Sequence, residues 1–299
     1  MTPRIRDYNG LDDLRRMKAL VSAGGKVSPH SGYPHVGELD WWVFYPRDNQ
    51  MIKVWEDDGQ LIGWMVLEPP EAVDIVVLPH LNGTALEAEL LDYADSLLTA
   101  CSAPDKNPYI VAWADAYFRR DWLTVRGYVE QEFLTMFQQD LDAHLPVPVL
   151  PEGFRFLETM RPEDVEHRAD VHFDAFSPSR MTPEAYARFM TAPNYDPALD
   201  VTVAAPDGRF AAFAMCWIDP ETQTGIFEPV GTRSDMQRRG LGRAALYEGM
   251  RRMRARGMTA AHVLTETDDP GNMAFYQSAG FQPVNSLLKY EKKVGMTED

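Results

Sequence analysis

The chain has 299 residues, 45% of them apolar and 25% charged, and a formal net charge of −16. That length holds one large domain or two ordinary ones, and the composition excludes wholesale disorder. The negative balance excludes non-specific binding to nucleic acid or an anionic membrane, and it suits a cationic small molecule instead.

In chain order, LDDLRRMKALVSAG has helical periodicity, and MIKVWEDDGQLIGWMVLEP reads as a hairpin turning at Asp58-Gly59. AVDIVVLP is strand-like, ALEAELLDYADSLLTA helical, YIVAWAD strand-like, and FRRDWLTVRGYV helical up to Gly127. The aromatic DWWVFYP either lines a pocket or packs between domains. QQDLDAHLPVPVLPEGF, with prolines at 146, 148 and 151, reads as a linker between residues 1–140 and residues 150–299.

Beyond it, FRFLETM suggests a short strand, while RPEDVEHRADVHFDAF and TPEAYARFMTA suggest helices. DVTVAAPDGRFAAFAMCWI is a hairpin around Asp207-Gly208, and TGIFEPVGT is a further strand. A basic turn and helix follow, then strand MTAAHVLTE, helix GNMAFYQSAG, and a last hairpin from FQPV to LLKYEKK. Gly127-Tyr128 and Gly280-Phe281 hold the same place in each half, which reads as an internal duplication.

SDMQRRGLGRAALYEG is the most informative stretch. Its Gly-x-Gly-x-x-Ala from Gly240 to Ala245 formally fits a dinucleotide fingerprint. That fold needs the first glycine directly after a strand, whereas Ser234 to Arg239 intervene here, so the fingerprint is rejected. Phosphate binding remains: glycines let main-chain N–H groups approach an anion, a helix starting near Leu241 points its positive end there, and Arg238, Arg239 and Arg243 add charge. Arg251, Arg252, Arg254 and Arg256 fit a structural role at a helix end closed by Gly257.

QRRGLGRA resembles the Gln/Arg-x-x-Gly-x-Gly/Ala motif of the GNAT acetyltransferase superfamily, and YQSAGF resembles its second signature, a helix with Tyr ending at Gly-Phe. The two motifs lie within Ile226–Phe281. The resemblance implies an α+β fold of two tandem GNAT-like domains, each a mixed, mostly antiparallel sheet flanked by helices. It also implies acetyl-CoA as co-substrate, with Gln237, Arg238, Arg239, Gly240, Leu241, Gly242 and Arg243 around the pyrophosphate. The pantetheine arm would lie along Val230, Gly231 and Thr232. Two departures stand out: Asp269 occupies the place of the family's Asn, with Asn272 three residues on as the remaining candidate, and Ser234 replaces the usual Pro.

Acetyl transfer to an amine needs a base and a proton for the departing thiolate. Glu228, in the middle of an apolar strand, is the candidate base, and its facing beside Pro229 stays open between site and solvent. Glu266 is the second candidate. Tyr276 falls at the family tyrosine that protonates the leaving sulfur, and the Val230 N–H would polarise the carbonyl.

The first half lacks this chemistry: HLNGTAL replaces the basic turn, and Leu123 stands where Tyr276 does. It is expected to be a degenerate copy that walls the acceptor pocket. His167 and His172 are off one helical face, so no metal is expected. Cys101 and Cys216 fit neither a zinc spacing nor a disulfide framework, and no apolar run suits a signal or a span, which points to the cytoplasm. The expected partner is a small-molecule amine, with the protein a monomer or homodimer. A non-catalytic acyl-CoA-binding scaffold and a protein or peptide N-acetyltransferase are the alternatives.

Overall fold

The computed structural model describes residues 3–30, 32–45, 47, 49–69, 72–101, 103 and 106–292. The first half runs β1 (Arg4–Asp7), α1 (Leu11–Val27), α2 (Val36–Phe44), β2 (Met51–Asp57), β3 (Gln60–Glu68), β4 (Ala72–Val77), α3 (Ala85–Cys101), β5 (Tyr109–Trp113), α4 (Tyr117–Val125) and β6 (Val129–Asp140). The second runs β7 (Arg155–Phe156), α5 (Val165–Ala175), α6 (Pro183–Phe189), β8 (Asp200–Ala204), β9 (Phe210–Asp219), β10 (Thr224–Thr232), α7 (Leu241–Ala255), β11 (Ala260–Glu266), α8 (Pro270–Ser278) and β12 (Gln282–Glu291).

Local chemistry explains most of these elements. Asp58 and Gly59 sit at φ 46° and 78°, the left-handed values a tight hairpin turn demands, and they join β2 to β3. Leu14, Met17, Leu20 and Val21 recur at helical spacing and bury one face of α1. Helix α2 opens with a capping box: Glu38 Oε2 accepts from the His35 N–H at 2.5 Å, and the Gly37 N–H donates to His35 Nδ1 at 3.1 Å.

The strands form one sheet in the order β1-β2-β3-β4-β5-β12-β6-β11-β10-β9-β8-β7. Neighbours are antiparallel except for two parallel pairs, β4 with β5 and β10 with β11. The last strand of each half is seated among strands of the other. β6 pairs with β11 from Leu134↔Glu266 to Asp140↔Ala260, and β12 pairs with β5 from Leu287↔Trp113 to Glu291↔Tyr109. β6 and β12 also pair with each other. The two halves therefore share a continuous ladder of hydrogen bonds.

Two sequence expectations need correction. FQPV to LLKYEKK is a single strand, β12, and no hairpin. Its turn-like residues form a bulge instead: the pairing with β6 slips between Pro283 and Asn285, because Pro283 has no N–H for the ladder. The expected linker begins too early, since Gln138 and Gln139 lie in β6 and pair with His262 and Ala261. DWWVFYP meets its expectation: residues 40–44 end α2, and Trp41 and Trp42 both line a cavity and pack against the second half, while Pro46 lies outside the described residues.

Helix α2 belongs to the first half in sequence but packs on the second. Gly37 makes this possible, because a Cβ there would lie 2.2 Å from Trp217 Cβ on β9. Trp41 meets Phe189 of α6 edge-to-face with ring centroids 5.0 Å apart. This crossing carries Glu38 to the second half.

Candidate active site

β10 and β11 are paired only from Thr224↔Ala260 to Ile226↔His262, and beyond Ile226 they part. A bulge at Glu228 and Pro229 shifts β10 against β9 between Phe227 and Val230. Trp217 Nε1 donates to the Glu228 carbonyl at 2.8 Å and fixes the bulge. The parting of the strands exposes main chain from Val230 to Thr232 at the mouth of a groove.

The basic turn closes that groove. Arg238 and Gly240 take φ 62° and 78°, and Gly240 is the N-cap of α7 with no side chain capping the helix. The first-turn N–H groups are thus left for an outside acceptor, the arrangement an anion needs. A Cβ on Gly242 would lie 2.9 Å from Thr232 Oγ1 and 3.4 Å from the Phe275 ring, so only glycine lets α7 approach the strand this closely. A Cβ on Gly231 would similarly lie 2.6 Å from Phe213. The Leu241 side chain is buried in the core, so its offering to the groove is main chain.

Gln237 Nε2 donates to the Thr232 carbonyl at 3.4 Å and ties the turn to β10. Arg239 donates to the Asp235 carbonyl at 3.4 Å. Arg238 and Arg243 are exposed beside the groove and, among the described residues, stand in no ion pair. The arginines farther along α7 are structural. Arg252 donates to the Leu157 and Ala198 carbonyls, each at 2.8 Å, and Arg256 pairs with Asp196.

The groove meets a second cavity of about 650 Å³. Ala175, Phe176, Val230, Asn272 and Tyr276 line both, so the two spaces adjoin at the strand bulge and α8. Glu228 faces the cavity, which resolves its orientation, and burial pushes its carboxyl up to about 7 although Arg47 lowers it. Tyr276 is buried, and burial followed by the charge of Glu228 raises its phenol, which keeps the proton on oxygen. Asn272 is exposed and held to the N-cap of α8, its Nδ2 donating to Asp269 Oδ2 at 2.9 Å. Asp269 thus serves helix entry. Glu266, exposed at the end of β11, lines the cavity as well.

Sequence reasoning missed the carboxyls from the first half. Glu38 from α2, Glu68 from β3 and Asp74 from β4 line the same cavity, and the guanidinium among them, Arg47, is paired with Glu68. Burial pushes Glu38 up to about 8, with Glu228 and Asp74 adding to the rise, and burial pushes Asp74 up to about 6. Their one sequence signal was Glu38 three residues after His35, a helix start.

The first half repeats the splay but fills it. β4 and β5 are paired at Ala72↔Tyr109 and Val73↔Ile110 and then separate. Counting back from Gly127 and Gly280, Arg119 holds the place of Asn272. Arg119 Nε and Nη2 donate to buried Glu87 at 3.0 and 2.9 Å, and Nη1 donates to the Ile75 carbonyl of β4 at 2.9 Å. Glu87 in turn accepts from the Gly83 N–H at 2.7 Å, ahead of α3. Tyr33 donates to the Val77 carbonyl at 3.0 Å. Side chains of the protein thus occupy both the helix approach and the strand edge.

Among the described residues no group of three or more His, Cys, Asp or Glu is placed to hold a metal, and no helix is long and apolar enough to cross a membrane.

Residues 165–281 match the acetyltransferase (GNAT) family. The mycothiol acetyltransferase of Saccharomonospora viridis is 26% identical over 306 residues, covering 95% of each chain. That of Streptomyces coelicolor is 27% identical over 244 residues, covering 78% of this chain and 77% of its own. Among solved structures, a tandem GNAT protein from the clavulanic acid biosynthesis pathway superposes with a TM-score of 0.69 at 13% identity, covering 99% of this chain and 100% of its own. A GCN5-related N-acetyltransferase from Sphaerobacter thermophilus gives 0.66 at 17% identity, covering 97% and 95%. At such identities the structural likeness carries the fold. The chain is an acyltransferase whose second half carries a GNAT acetyltransferase domain within a tandem α+β fold.

Proposed function

We propose that this protein is an acetyl-CoA-dependent N-acetyltransferase that acetylates an amine of a small-molecule acceptor by direct attack in a ternary complex. The observation that carries the reading is the junction of the two cavities at Val230, Asn272 and Tyr276. A donor anchored by its phosphates at Gly240 and Gly242 would extend toward the acceptor there. The close approach enforced at Gly242 fits such a donor.

Glu228 takes one proton from the acceptor's ammonium, a task suited to a carboxyl near 7. The nitrogen lone pair attacks the thioester carbonyl, which the Val230 N–H polarises. The C–S bond breaks, Tyr276 gives its proton to sulfur, and the second proton lost by nitrogen restores the phenol. The products are the amide, the free thiol and one proton released to solvent. Residues 150–299 are read as the catalytic domain and residues 1–140 as a degenerate copy that walls the acceptor side. Free Cys101 and Cys216 suit a reducing cytoplasm.

The test is acetyl transfer over an amine panel that includes the acceptor of the mycothiol acetyltransferases, comparing wild type with Tyr276→Phe and Glu228→Gln. Each substitution is expected to lower kcat by about 10²-fold or more. Micromolar binding of acetyl-CoA with no amine acetylated, and no effect of either change, would make the protein a binding module instead.

A further inference from the structure

Among the described residues, the acceptor cavity is lined by five carboxyls, Glu38, Glu68, Asp74, Glu228 and Glu266, against the single guanidinium of Arg47. Arg47 is engaged with Glu68. Among the described residues, Glu38, Asp74 and Glu228 stand in no direct ion pair, although Arg119 attracts Asp74 and Arg47 attracts Glu228 at longer range. Their hydrogen bonds come from main chain: Glu38 accepts from His35 N–H at 2.5 Å, and Asp74 from Ile75 N–H at 2.7 Å. The three are close enough that Glu228 and Asp74 both act electrostatically on Glu38.

A proton-accepting role at the bulge uses one carboxyl, Glu228. Glu38 and Asp74 come from α2 and β4 of the other half, and the acetyl transfer itself gives them no task. Half-buried carboxyls brought together give up part of their charge, as the rise of Glu38 and Asp74 shows, and a cation entering the cavity would favour their charged forms. The remaining walls are largely apolar, aliphatic side chains such as Val66, Val111 and Leu134 alternating with aromatic ones such as Trp42, Tyr109 and Phe133. Such walls hold an alkyl chain and favour an ammonium over the ring faces. The cavity's about 650 Å³ is the size of a small-molecule site.

We infer that the acceptor is a dicationic amine of the α,ω-diaminoalkane type, with one nitrogen acetylated at Glu228 and the second ammonium held by Glu38 and Asp74. The inference rests on the N-acetyltransferase reading and adds the second charge. It gives the first half a task in choosing the acceptor, in which Glu38 and Asp74 are specificity residues.

The experiment compares kcat/KM for short α,ω-diaminoalkanes with that for n-alkylamines of equal carbon number, using the full chain with saturating acetyl-CoA. The diamine is expected to be preferred by at least about tenfold, the factor that ~1.4 kcal/mol of charge pairing supplies. Glu38→Gln and Asp74→Asn are each expected to bring that ratio toward one. A companion measurement needs no variant: a bis-quaternary alkylammonium, which cannot be acetylated, should inhibit competitively against the amine and more tightly than its mono-quaternary counterpart. Equal use of monoamines and diamines, or a ratio that both variants leave unchanged, overturns the inference while the acetyltransferase reading stands. Acetyl-CoA binding with no amine acetylated overturns both.

Discussion

Arg119 on α4 grips Glu87 on α3 through two hydrogen bonds, and its third donation reaches the Ile75 carbonyl of the splayed strand. The pair fills in the first half the space that stays open between Asn272 and the basic turn in the second. A carboxylate stands near the helix start, where a phosphate would otherwise go, and a guanidinium holds the strand edge. Calorimetry with acetyl-CoA should therefore return one site per chain. Glu87→Ala should not create a second site; it should lower stability by about 3–5 kcal/mol in denaturant unfolding, because Arg119 is left buried without its partner.

Gly242→Val should abolish detectable acetyl-CoA binding in the same calorimeter, since its Cβ would press on Thr232 Oγ1 at 2.9 Å and force α7 off the strand. Gly240→Ala is a milder probe. Its φ of 78° puts an alanine in the left-handed region, a cost of about 1–2 kcal/mol with no steric neighbour to displace. Affinity after that change should fall by about tenfold and not vanish.

The pH dependence of kcat/KM should show an ascending limb set by Glu228. Burial holds that carboxyl at about 7, so a base there would be protonated and idle below that pH and competent above it. The rate should rise through about 7 and then level. Glu228→Gln should remove the limb and leave a low, flat profile. A limb that persists in the variant would transfer the role of base to another group.

Stability should show the opposite trend. Glu38 has an ordinary value of 4.5 in the unfolded chain and about 8 in the fold, where burial, Glu228 and Asp74 all disfavour its charge. The folded chain binds more protons between those values, so stability falls as pH rises through that window. Glu38→Gln lifts the penalty. Its Tm should match wild type near the lower end and exceed it above about 8, by the equivalent of a few kcal/mol at most.

What was legible in the sequence was what contiguous residues build by themselves. The cradle from Gln237 to Arg243 is a turn whose glycines and helix start announce themselves, and the Asp-Gly hairpins carry their turn chemistry in two letters. Tyr276 was legible through its spacing from Gly280. The carboxyls of the 650 Å³ cavity were not, because Glu38 reaches Glu228 only after α2 crosses onto β9 at Gly37, and Asp74 only once the two halves share one sheet. No local pattern encodes that crossing. Pro283 to Ser286 misled for a related reason: proline and asparagine mark a turn or a bulge equally well, and only the pairing with β6 decides. The burial of Glu228 was ambiguous for the same cause, since a bulge interrupts the alternation that would have oriented it.

The seating of β12 between β5 and β6 has a consequence for synthesis. As the chain leaves the ribosome, β5 must wait with an unpaired edge until β12 has been made, and such an edge invites association with other chains. Neither half closes its sheet alone, so a gene encoding one of them without the other would yield a sticky remnant and no working enzyme.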